Sequence, residues 1–102
     1  MPALTVTLTT HGTVYNLWTL IKATFPNADG ACRELNLLGD PGNGAAKIFV
    51  GGNNVSSSNF GVQLIASQSQ TYRSNLNNVS LGNKGVVSDT DGSKLDVEWS
   101  YA

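Results

Sequence analysis

One histidine, one cysteine and seven carboxylates carry the acid–base, nucleophilic and metal-binding potential of this 102-residue chain. His11 stands beside Gly12 at the end of an alternating stretch. A catalytic histidine needs a nucleophile and an orienting acid in reach. No neighbour in the sequence supplies a recognisable partner, so His11 reads as structural or solvent-facing. Cys32 is alone, which excludes a disulfide within the chain and a cysteine-based zinc site. Arg33 follows it, but adjacent strand residues face opposite sides, so an inert buried thiol is expected. Asp89-Thr90-Asp91-Gly92 opens like a calcium loop. Such a loop also needs a glutamate at its twelfth position, where this chain has Ser100. The fragment reads instead as an Asp-Gly hairpin turn. The remaining carboxylates, Asp29, Glu34, Asp40, Asp96 and Glu98, are dispersed, and nothing selects a glycosidase-like pair. Asn54-Val55-Ser56 and Asn78-Val79-Ser80 fit the glycosylation acceptor pattern, which acts only in a secreted chain. The expectation is a protein without catalytic residues, metal or cofactor.

Binding chemistry is better represented. Trp18, Phe60, Tyr72, Trp99 and Tyr101 could form a stacking surface for sugars. The two tryptophans fall on apolar faces and read as core. Phe60 follows a polar loop and is expected to be exposed.

The bulk composition narrows the partners. Net charge is −1 and only 13% of residues are charged. Lys22, Arg33, Lys47, Arg73, Lys84 and Lys94 are scattered singly, whereas nucleic-acid binding needs a clustered positive face. No apolar run approaches the ~18–20 residues of a membrane span. The first residues lack the charged and apolar regions of a signal peptide, and a lone cysteine fits synthesis in a reducing cytoplasm. Gly, Asn, Ser and Thr supply roughly two-fifths of the chain, in keeping with turns and small polar strand surface. A chain of this size should form one domain, residues 1–102, with a folded surface of about 5,500 Å².

Residues 3–10 alternate strictly, with Leu4, Val6 and Leu8 on one face and threonines on the other, which predicts a half-buried strand. Val14, Leu17, Trp18 and Ile21 change to a helical period. They predict one short helix over residues 14–22, capped by Thr13 and ended before Phe25-Pro26. Residues 31–38 and 45–50 read as two strands, the second apolar on both faces near its end. The glycine-rich turn 39–44 should join them as a hairpin. Strands follow around 60–65, 70–73, 76–81 and 85–88. The clearest strand is the last, with Leu95, Val97, Trp99 and Tyr101 on one face. About seven short strands with turn signals between them predict a mainly β fold: an antiparallel sandwich or jelly-roll-like barrel. The expected core is Leu4, Val6, Leu8, Leu17, Trp18, Ile21, Leu35, Leu37, Ile48, Val50, Leu64, Val97 and Trp99.

Residues 48–64, Ile48-Phe49-Val50-Gly51-Gly52-Asn53-Asn54-Val55-Ser56-Ser57-Ser58-Asn59-Phe60-Gly61-Val62-Gln63-Leu64, form a pattern of their own. An apolar strand runs into a Gly/Asn-Val-Ser loop and then a Gly-X-X-Leu segment. This resembles small virion proteins of tailed bacteriophages and prophages. The helix around Leu17 to Ile21, the strand from Cys32 to Leu37 and the terminal Val97-Glu98-Trp99 fit the same layout. One departure is Ala66-Ser67-Gln68-Ser69, where such proteins often carry Ala-Gly-Glu-Ser, so the turn here must be built without glycine.

The resemblance implies a structural, non-enzymatic protein of the virion, made in the bacterial cytoplasm. The role it favours is a capsid decoration or cement protein that binds the major capsid protein, as a homo-oligomer and most often a trimer. The alternatives are a tail, fibre or neck component, or a carbohydrate- or receptor-binding module. Candidate contact residues are Leu4, Val6 and Leu8 of the first strand, Asn53, Asn54, Val55, Asn59 and Phe60 of the polar loop, and Tyr72 and Arg73.

Overall fold

A computed structural model describes residues 2–101 and has a solvent-accessible surface of 5242 Å². The chain is mainly β, 44% strand and 9% helix. Ten strands are described: β1 (Ala3–Leu8), β2 (Tyr15–Asn16), β3 (Ala31–Cys32), β4 (Glu34–Gly39), β5 (Ile48–Gly51), β6 (Val62–Leu64), β7 (Ser69–Arg73), β8 (Val79–Ser80), β9 (Gly85–Ser88) and β10 (Ser93–Ser100). One sheet runs β1-β10-β4-β7, a second runs β2-β9-β5-β6, and β3 pairs with β8. All the pairings are antiparallel.

Alternation places the core. In β10, Ser93, Leu95, Val97 and Trp99 are buried while Lys94 and Glu98 are exposed. Its partners align by register: Val6 faces Leu95, and Leu37 faces Val97. The inner residues of β5, β6 and β9 (Ile48, Val50, Leu64 and Val86) join the same apolar cluster, so the two four-stranded sheets share one core. The outer face of the first sheet is polar and tied across strands. Thr5 Oγ1 donates to Asp96 at 2.8 Å, Thr71 Oγ1 donates to Asn36 at 2.7 Å, and Arg73 pairs with Glu34 at 2.8 Å.

Several expectations are corrected. The helix, α1, is Leu17–Lys22, not residues 14–22, because Tyr15 and Asn16 pair with Val86 and Gly85 as β2. Its cap is Asn16 and not Thr13; the Asn16 carboxamide oxygen accepts from the Thr19 N–H at 3.1 Å. A six-residue helix is held by packing, and Leu17 and Ile21 supply it. Strands β4 and β5 do not form a hairpin. β4 pairs with β10 and β7, β5 with β6 and β9, and the turn carries the chain from one sheet to the other. Asp89-Thr90-Asp91-Gly92 is likewise a crossing between sheets, since β9 and β10 belong to different ones. At its base Ser88 and Ser93, both buried, hydrogen-bond through their hydroxyls at 2.6 Å. Among the expected core residues, Leu4 and Trp18 are half-buried at the margin. Trp18 lies against Gly30 and Gly82 and donates its indole N–H to the Ala28 carbonyl at 3.1 Å.

Candidate functional site

The polar loop between β5 and β6 is built on an apolar foundation. Phe49 and Val87 point outward from the second sheet, opposite the main core, yet both are buried. Val55, the one aliphatic residue between Asn53 and Asn59, closes over them as a second apolar cluster and is 3% exposed. The loop therefore folds back on the outer face of its own sheet. Phe60 completes the patch: its ring lies 4.9 Å from that of Phe49, tilted by 50°, and stays 42% exposed.

Hydrogen bonds hold this shape. Val55 N–H donates to the Gly52 carbonyl, Ser56 and Asn59 exchange backbone bonds at 2.9 and 3.2 Å, and Gly61 N–H donates to the Val50 carbonyl at 2.8 Å. The loop is fixed at its other end by Asn53. Its oxygen accepts from Asn16 at 2.9 Å and its amide donates to the Gly82 carbonyl at 3.1 Å. Gly85 lets the loop approach this closely, because a Cβ there would collide with the Gly52 carbonyl.

Beside the loop is a cleft of about 290 Å³ with an apolar floor of Phe49, Val55 and Val87 and a rim that includes His11, Ser57 and Asp89. His11 is exposed, and its Nδ1 and backbone N–H both meet the same Asp91 oxygen at 2.7 Å. These contacts, the backbone bond first, hold the Asp91 carboxyl below its ordinary pKa. Asp89 is lowered as well, chiefly by the Lys47 N–H at 2.9 Å. Cys32 is fully buried, and desolvation pushes its thiol up. Among the described residues no group of three or more His, Cys, Asp or Glu is placed to hold a metal ion.

The contact candidates separate by position. Asn54, Asn59 and Phe60 are exposed on the loop, whereas exposed Asn53 has its side chain engaged by Asn16 and Gly82. Val55 faces inward as the loop's anchor. Val6 and Leu8 belong to the core and Leu4 packs against it, so a contact through β1 would use its backbone edge and threonine face. Tyr72 and Arg73 sit on β7, in the first sheet. Tyr72 is half-buried with its hydroxyl pKa raised by burial, and exposed Arg73 is paired with Glu34. Sequence reasoning missed a second cleft of about 350 Å³, lined by Pro2, Phe25, Pro26, Trp99 and Tyr101. Phe25 meets Trp99 edge-on at 5.2 Å, and the Tyr101 hydroxyl accepts from Trp99 Nε1 and the Asp29 N–H. In the sequence the Phe25-Pro26 pair signals only a helix stop.

No protein-family model, curated protein or solved structure matches this chain.

Proposed function

We propose that this chain is a structural, non-enzymatic component of a bacteriophage virion, a decoration protein that binds the major capsid protein through the 51–60 loop. The observation that carries the reading is the construction of that loop. A segment of small polar residues is clamped to the sheet by Val55, Asn53 and paired backbone bonds, and it presents Phe60 beside an apolar cleft. A fixed surface loses little conformational entropy on docking, and an exposed aromatic beside a pocket suits the centre of a contact. The same residues carry the likeness to phage virion proteins. The low charge supports docking on protein, since non-obligate interfaces are no more apolar than ordinary surface. In this reading the two sheets around their common core are a β-sandwich, and many copies on one shell add weak contacts into firm retention. Trimers are the assembly that the likeness implies.

The test is co-sedimentation of the purified protein with expanded capsids assembled from a tailed-phage major capsid protein whose gene is found to neighbour its own. Binding that falls about tenfold in Phe60→Ala supports the reading. No binding at about 100 µM protein, ~5.5 kcal/mol of affinity, overturns it. A second reading, a glycan-binding module, rests on the cleft between Phe25 and Tyr101. A glycan array separates the two: signal lost in Tyr101→Ala favours it, and silence removes it.

A further inference from the structure

We propose that β1 is a self-pairing edge, through which two copies of this chain join their first sheets across a two-fold axis. Of the four outer strands of the larger sheets, β2 has two residues, β6 has three, and β7 carries Arg73. β1 has six residues, ALTVTL, with no charge, proline or glycine. Natural sheets blunt their edges with charge, proline or shortness, and β1 uses none of these devices.

The hydrogen-bond phase shows what the edge offers. Trp99 N–H donates to the Pro2 carbonyl at 3.1 Å, one position before the Ala3–Glu98 pair. Antiparallel ladders alternate, so Leu4, Val6 and Leu8 direct their backbone groups to β10. Ala3, Thr5 and Thr7 direct theirs to the open side, and all three are exposed.

The occupant is argued from self-complementarity. In a two-fold antiparallel pairing, like faces meet only if residues of the same parity stand opposite each other. The register that sets Thr5 against the second copy's Thr7 meets this condition and forms about four new backbone bonds. It centres Val6 on the axis and extends both cores into one sheet. It also matches charge. On the outer face Thr5 neighbours Asp96 and Thr7 neighbours Lys94, so each cross-copy row runs from a carboxylate to an ammonium. Setting Thr5 against Thr5 would instead align two Asp96 side chains in one row. So short an edge buries less than the ~1,200 Å² of a stable interface, so the pair forms in proportion to concentration.

The inference is independent of the capsid reading. The experiment is sedimentation equilibrium of the full chain up to about 1 mM, the regime where ~4 kcal/mol of affinity is visible. The samples are wild type, Thr5→Lys/Thr7→Lys, Thr5→Glu/Thr7→Glu, and Gln63→Lys on β6 as a control. Thermal melts establish that each variant folds. The expected result is a wild-type dimer, at least ~10-fold weaker in each double variant. Mixing the two double variants restores it, and Gln63→Lys leaves it unchanged. A wild type that stays monomeric throughout the range overturns the proposal. So does an oligomer of any order that folded Thr5→Lys/Thr7→Lys retains unchanged.

Discussion

Val55→Ala tests whether the binding loop is a separately anchored unit. The side chain is 3% exposed against Phe49 and Val87, so truncation removes two buried methyl groups. At about 0.8 kcal/mol per buried carbon the transfer loss is ~1.6 kcal/mol. The residual cavity adds little, because the neighbouring cleft lets the site relax, so the whole effect is about 1.5–2.5 kcal/mol. If that energy holds the loop against the sheet, the loss appears as local opening. The assay is native-state amide hydrogen exchange followed residue by residue. The reporters are the N–H groups of Val55, Ser56, Asn59 and Gly61, each bonded within the loop or to β5. Their exchange should quicken by about 10- to 70-fold, at a decade per 1.4 kcal/mol. The amides of Leu95 and Val97 in β10, where they exchange through global unfolding, should quicken by the same factor from a far slower wild-type rate. Loop amides that stay within about twofold of wild type would refute the anchoring argument. Wild-type loop amides as slow to exchange as those of β10 would show that the loop opens only with the whole molecule.

Two further predictions concern backbone and charge. Ser67 holds φ at +67°, the left-handed conformation that glycine adopts freely, while its N–H donates to the Gly39 carbonyl. Left-handed geometry costs an L-residue about 1–2 kcal/mol, and glycine's unfolded-state entropy returns about 0.5–1. Ser67→Gly should therefore raise Tm by about 2–4 °C, and a lower Tm in calorimetry would count against the geometry. Asp89 and Asp91 both have folded pKa values below their unfolded ones. Their contribution to stability is present above the ordinary carboxylate pKa and is lost as pH falls through the folded value. Urea midpoints should hold near neutrality and drop below about pH 4. Asp89→Asn should flatten that drop, and an unchanged acid limb would exclude Asp89 as its source.

The elements that alternate cleanly were legible because alternation is a local property. β1 and β10 lie where alternation placed them, and Leu95, Val97 and Trp99 are buried as their spacing required, but β1 stops at Leu8 rather than residue 10 and Tyr101 is exposed just past β10. The helix start was not legible, because Tyr15 and Asn16 are claimed by Val86 and Gly85, some seventy residues away in the chain. Pairing was not legible either. The turn after Gly39 looks like a hairpin loop, and no local signal reveals that Leu37 finds Val97 while Ile48 finds Ser88 and Leu64. The loop gave partial signals. Phe49 stood on a strand apolar on both faces, and Val55 was alone among polar residues. What joins them is the close approach over Gly85, which depends on the folded sheet. The glycine-free turn at Ala66-Ser67-Gln68-Ser69 was visible as an oddity, and the positive φ of Ser67 is its structural expression.

The order of β1, β10 and β4 has a consequence for biosynthesis. Thr5 and Asp96, hydrogen-bonded in the finished sheet, lie 91 residues apart, and β10 stands between β1 and β4. While the last strand is still inside the ribosome, the first and fourth have no common partner. The first sheet is then completed only once β10 has left the ribosome, by the slow long-range closure typical of non-local β pairings. Until then β1 has no partner and β4 pairs only with β7, leaving two open strand edges, and the yield depends on keeping them apart from other chains.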